Sequence, residues 1–89
     1  MTLRSLKIVN EKGLHARASA KLVEVVEGFD AQAEVSRDGL SAAGDSIMGL
    51  LMLAASRGTT IDVETSGPDA EALADAVETL VNDKFGEGF

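Results

Sequence analysis

The chain has 89 residues, 15 acidic and 8 basic side chains, a net charge of −7, one histidine and no cysteine. That length predicts one small domain, 1–89, burying only about 60–65 % of its unfolded surface. The lack of cysteine excludes a disulfide framework and thiolate metal sites, the acidic balance opposes a nucleic-acid partner, and no apolar run reaches the roughly 20 residues of a membrane span. Met1 is followed by no signal-like segment, so a cytoplasmic location is expected.

In chain order, the alternating run Leu6-Lys7-Ile8-Val9 predicts a first strand over 2–9, with Leu6 and Ile8 facing the core. Gly13 breaks the chain, and a helix follows over 16–27. Its buried face is Ala18, Leu22, Val25 and Val26, its polar positions include Lys21, Glu24 and Glu27, and Gly28 reads as the C′ glycine that ends it. Residues 31–37 alternate, with Ala31, Ala33 and Val35 on one face. Asp38-Gly39 then signals a hairpin into Leu40-Ser41-Ala42. A short helix is predicted over 46–53 with Ser46 as N-cap, weakened by Gly49 and stopped by Gly58. Residues 59–65 form the last strand, with Ile61 and Val63 inward. Gly67-Pro68-Asp69 opens a third helix with Pro68 near N1 and a buried stripe of Leu73, Ala76, Val77, Leu80 and Val81; residues 86–89 read as a loose tail. The order βαββαβα predicts an α+β fold, one antiparallel sheet covered by helices on one face.

The strand-to-helix junction places the sole histidine, His15, at the N-cap of the first helix with its ring toward solvent. A helix start leaves backbone N–H groups unpaired and carries partial positive charge, which suits a phosphoryl group. Arg17 brings a planar, permanently charged fork of donors to the same end. A ring nucleophile, the amides of Ala16, Arg17 and Ala18, and a guanidinium together suit taking a phosphoryl group and holding it briefly. The plainer reading is an exposed histidine with no task. Residues 1–23 carry a balance of +4 and residues 24–89 one of −11. This is either a basic rim around His15 or ordinary surface decoration. Ala16, Ala20 and Val23 lie beside His15, where small side chains would let a partner approach, or serve only as helix formers.

The run Gly13-Leu14-His15-Ala16-Arg17-Ala18-Ser19-Ala20 resembles the active-site segment of the HPr-type phosphocarrier proteins of the bacterial phosphotransferase system. Asp45-Ser46-Ile47-Met48-Gly49-Leu50-Leu51-Met52-Leu53 resembles that family's regulatory segment, and the likeness runs nearly the whole chain. Gly28-Phe29-Asp30-Ala31, Leu50-Leu51-Met52-Leu53 and Gly67-Pro68-Asp69 look closest to its nitrogen-related branch. The resemblance implies an open-faced sandwich of four strands and three helices, and a monomeric phosphoryl carrier rather than an enzyme, needing no cofactor and no metal. It implies that Nδ1 of His15 accepts a phosphoryl group from enzyme I and passes it to a histidine of IIA-type proteins, with Arg17 stabilising it. It also implies Ser46 as a target of a kinase/phosphorylase. Two departures stand out. Ala18 replaces the usual proline, which leaves a good helix former and a less rigid entry. Asp45 stands where many members have a basic or neutral residue, which makes a phosphate on Ser46 less welcome.

Residues 47–54 are too apolar for one side of so short a helix. Leu50, Leu51, Leu53 and Ala54 can fill the core, leaving Ile47 and Met48 as a surface pair. The family docks its partners here, so Ile47, Met48 and Leu51, with Ala16 and Ala20, form the expected docking patch. Two other functions remain open. Asp45-Ser46-Ile47 is similar to the Asp-Ser-Leu that receives phosphopantetheine in acyl carrier proteins, which are helical bundles. The chain could also be a small-ligand-sensing α+β module.

Overall fold

The computed structural model describes residues 1–88. The elements are β1 (Thr2–Lys7), α1 (Ala16–Glu27), β2 (Gln32–Arg37), β3 (Leu40–Ala43), α2 (Ile47–Met52), β4 (Thr60–Ser66) and α3 (Ala70–Asn82), followed by a 3₁₀ turn at Lys84–Gly86. The four strands make one antiparallel sheet in the order β1-β4-β2-β3, and the helices cover one face as an open-faced sandwich. No helix among the described residues is long and apolar enough to cross a membrane.

Register follows from the alternation. Leu6 pairs with Ile61, and Val63 pairs with Val35 on its other side. The helix-facing residues of β1, β2 and β4 therefore meet in one layer. They pack against Ala18, Leu22 and Val26 of α1, Leu50 of α2, and Leu73, Val77 and Val81 of α3. Asp38 and Gly39 have φ of +51° and +82°, as a two-residue hairpin loop with matching twist requires. On edge strand β1, Arg4 shares the helix-facing side with Leu6 and reaches over the rim to Asp75 and Glu78 of α3.

Several expectations are corrected. β1 stops at Lys7, although Ile8 is still fully buried. Gly28 caps α1 with right-handed φ/ψ of −79° and −3°, not as a left-handed C′ residue. Pro68 lies outside α3, because Asp69 takes the N-cap position and turns its carboxylate to the backbone N–H of Asp30. Val25 is only half-buried, and Ala54 is exposed, just past the α2 cap with φ +51°.

The predicted loose tail is also corrected. Phe85 is fully buried in the core, Gly86 belongs to the 3₁₀ turn, and Glu87 is hydrogen-bonded to Asn10 and His15. Residue 89 of that tail lies outside the described residues.

Candidate functional site

Asn10 and Gly13 set up the turn into α1. The Asn10 side chain, wholly buried, donates one amide hydrogen to the Gly13 carbonyl at 2.8 Å. Gly13 has φ +67°, and the next residue's N–H donates to the Ala55 carbonyl at 2.8 Å. Leu14 is thereby buried, and His15 emerges as the N-cap of α1 in extended conformation. The backbone N–H of Arg17 donates to Nδ1 of the ring at 3.2 Å. The histidine thus does what Ser or Asp does at other helix starts, and the geometry assigns Nδ1 as the lone-pair nitrogen.

The ring's other nitrogen, Nε2, meets a carboxylate oxygen of Glu87. An unprotonated Nδ1 leaves the ring proton on Nε2, which donates to that carboxylate. The second Glu87 oxygen accepts the remaining amide hydrogen of Asn10 at 2.9 Å. Burial pushes the Glu87 carboxyl up. The Asn10 amide and the His15 ring, aided by Lys12, more than offset this and hold it below the usual glutamate range. Glu87 is therefore ionised at neutral pH.

His15 is less open than expected, with 28 % of its side chain exposed, while the Glu87 side chain is 5 % exposed. The uncovered part of the ring faces an open cleft lined by Lys12, Ala16, Arg17, Lys21, Gly86 and Glu87. Three of these are cations. Lys21 donates to the Phe85 carbonyl at 2.6 Å, which ties α1 to the C-terminal turn. The Arg17 guanidinium is exposed and makes no hydrogen bond or ion pair among the described residues. The first-turn N–H groups of Ala16 and Ala18 have no partner within the helix. Ala18 itself is fully buried and makes a regular first turn in the place of the family's proline.

At the second segment, Ser46 caps α2 by accepting from the Gly49 N–H at 3.1 Å. Leu50 and Leu53 are buried, and Leu51 is half-buried. Ile47 and Met48 are 40 % and 73 % exposed, as expected of the surface pair, and Met52 joins them at 75 %. Ala16 is exposed and Ala20 half-buried on α1, which packs directly against α2. The sequence reading missed Asn10 and Glu87. One signal was available: Leu73, Val77, Val81 and Phe85 recur every four residues, so the buried stripe of α3 runs beyond the helix and carries the chain into the core at Phe85.

Comparison with known proteins converges on one family. Residues 3–83 match the model described as the PTS HPr component phosphorylation site. Phosphocarrier protein HPr of Cupriavidus necator is 47 % identical over 88 residues, covering 99 % of both chains. Phosphocarrier protein NPr of Escherichia coli is 40 % identical over 89 residues, covering 98 % of this chain and 99 % of that one. The crystal structure of HPr-C-His from Thermoanaerobacter tengcongensis superposes with a TM-score of 0.95 at 34 % identity over the whole of both chains. Fold and site thus define a phosphocarrier domain. The chain belongs to the HPr family of the phosphotransferase system, and its relatives include both HPr and NPr proteins. The four-stranded sheet sets aside the acyl-carrier alternative, which required a helical bundle.

Proposed function

We propose that His15 accepts a phosphoryl group on Nδ1 from phospho-enzyme I and passes it to a histidine of IIA-type proteins in the cytoplasm. The observation that carries this reading is the lone-pair nitrogen itself. Nδ1 faces the Arg17 N–H at the start of α1, and the exposed Arg17 guanidinium, with no partner among the described residues, lines the same cleft. The Nδ1 lone pair forms the new N–P bond as the donor's N–P bond breaks, its electron pair staying with the donor nitrogen. The Arg17 N–H, released from Nδ1, can then donate to a phosphoryl oxygen. The amides of Ala16 and Ala18 and the Arg17 side chain add charge-assisted donors. These interactions are mostly solvent-facing, so they hold the group without trapping it, as a carrier needs. Ile47, Met48, Met52 and Leu51 with Ala16 and Ala20 would form the face on which donor and acceptor dock in turn.

The test is His15→Ala with enzyme I and phosphoenolpyruvate. Wild type is expected to take up one phosphoryl group and the variant none, read by intact mass under alkaline conditions. Full labelling of the variant would remove the proposal.

Ser46 is the proposed regulatory position. Ser46→Asp keeps an N-cap acceptor, so stability should change by less than about 1 kcal/mol. The added charge beside the docking face, next to Asp45, is expected to slow transfer to His15. Equal transfer rates for wild type and Ser46→Asp would count against regulation at this site.

A further inference from the structure

Three features of the C-terminal segment point the same way. First, its backbone is held in an unfavourable shape: Lys84 and Phe85, neither of them glycine, have φ of +55° and +53°. Such residues cost free energy and persist where surrounding contacts over-determine them. Second, those contacts are present. Phe85 is fully buried, and its carbonyl accepts from Lys21. Third, this shape delivers Glu87 to the ring. Gly86 and Gly88, with φ of +75° and +79°, flank it on both sides. Its carboxylate lies between the Asn10 amide and His15 Nε2. The Asn10 side chain donates one amide hydrogen to the Gly13 carbonyl and the other to Glu87. One buried amide therefore links the turn before His15 to the Glu87 carboxylate.

We propose that Glu87 is a positioning residue for phosphoryl transfer: it fixes the ring proton on Nε2 and balances the positive charge that the ring acquires when Nδ1 takes the phosphoryl group. The proposal rests on His15 being the acceptor.

Neutral imidazole with its proton on Nε2 attacks through Nδ1. The product ring bears phosphorus on one nitrogen and a proton on the other, and is cationic. Its Nε2–H still points at the Glu87 carboxylate. On transfer to an acceptor, the N–P bond breaks, its electron pair returns to Nδ1, and the neutral ring is restored. No proton has to leave or return in either direction. A carboxylate that faces a neutral ring before transfer and a cationic ring after it stabilises the phosphorylated state selectively.

The test is an internal competition. Isotope-labelled wild type and unlabelled Glu87→Gln are mixed in equal amounts with catalytic enzyme I and limiting phosphoenolpyruvate. Their phosphoryl occupancies are then compared by intact mass at equilibrium. Glutamine keeps the shape and the acceptor oxygen but removes the charge. Wild type is expected to have about a fivefold higher ratio of phosphorylated to free protein, the difference between a charge-assisted and a neutral hydrogen bond. Equal occupancy of the two proteins would overturn the proposal. If neither is labelled, the parent reading of His15 fails instead, and the two failures are told apart.

A second measurement does not depend on transfer. In ¹⁵N and ¹H NMR of the unphosphorylated protein, the His15 ring proton should reside on Nε2. Its exchange with water should be about tenfold faster in Glu87→Ala. Unchanged exchange in a folded Glu87→Ala variant would show that the carboxylate does not hold that proton.

Discussion

Gly13→Ala is expected to destabilise the protein by about 2–5 kcal/mol and to displace His15, whereas Gly39→Ala is expected to cost only about 1–2 kcal/mol. Both glycines have positive φ, +67° and +82°. Both substitutions therefore carry the same conformational penalty of an L-residue in left-handed space. They differ in what a methyl group would meet. At Gly39 nothing lies within 4 Å. At Gly13 the added Cβ would sit 2.5 Å from the Ala55 carbonyl oxygen and 2.9 Å from the Ser56 Cα. These are backbone atoms, which cannot rotate away as a side chain can. The Ala55 carbonyl is also the acceptor for the Leu14 N–H. Relieving the clash therefore breaks the bond that holds the residue before His15 in place. Denaturant unfolding of the two variants measures the difference, and the His15 ring resonances report the displacement. The displacement account is lost if the two glycine variants unfold within about 0.5 kcal/mol of each other.

This contrast shows what was legible in the sequence. The breaker at Gly13, the helix after it and the N-cap histidine were readable because they are local: a spacing of 3.6 and a turn residue specify them within about 15 positions. The hairpin was readable for the same reason, since Asp38-Gly39 supplies two positive-φ residues where two are needed. Ser46 was readable as a cap because its partner, Gly49, is three residues away. Pro68 stands at N′, two positions before N1, because Asp69 takes the N-cap place and has a second use. Its carboxylate bonds to the backbone of Asp30, 39 residues earlier in the chain, and no local rule weighs that contact.

Glu87 was harder still, since 72 positions separate it from His15. Its two glycine neighbours read as flexibility when considered alone. In the folded chain they supply the positive-φ backbone that turns a glutamate inward. The local signal for disorder and the tertiary signal for a built contact use the same residues. Only the four-residue recurrence ending at Phe85 distinguishes them.

Phe85→Ala tests whether that distinction is physical. The ring is fully buried in the core cluster, and its turn packs against α1 and α3. Truncating such a side chain typically costs about 3–5 kcal/mol, from lost transfer energy and the cavity left behind. For a domain of this size the total stability is roughly 5–13 kcal/mol. The melting temperature should therefore fall by about 12–40 °C, at about 4–8 °C per kcal/mol. A second effect follows from the backbone. Lys84 and Phe85 hold left-handed φ values that isolated residues avoid, and the buried ring is the largest contact opposing that preference. Without it the turn should relax, Lys21 should lose the Phe85 carbonyl, and Glu87 should leave His15. The ring proton on Nε2 should then exchange as fast as in Glu87→Ala, although Glu87 itself is still present. Glu87→Gln provides the opposite case: it should leave the melting temperature within a few degrees of wild type while lowering phosphoryl occupancy. A Phe85→Ala protein that lost less than about 1 kcal/mol would mean that the ring does not anchor the segment. One that lost 3–5 kcal/mol but kept the ring proton protected would mean that Asn10 alone suffices to hold the carboxylate. The expected result is loss of both together, because one buried ring supports the fold and, through a two-residue arm, the geometry of the histidine.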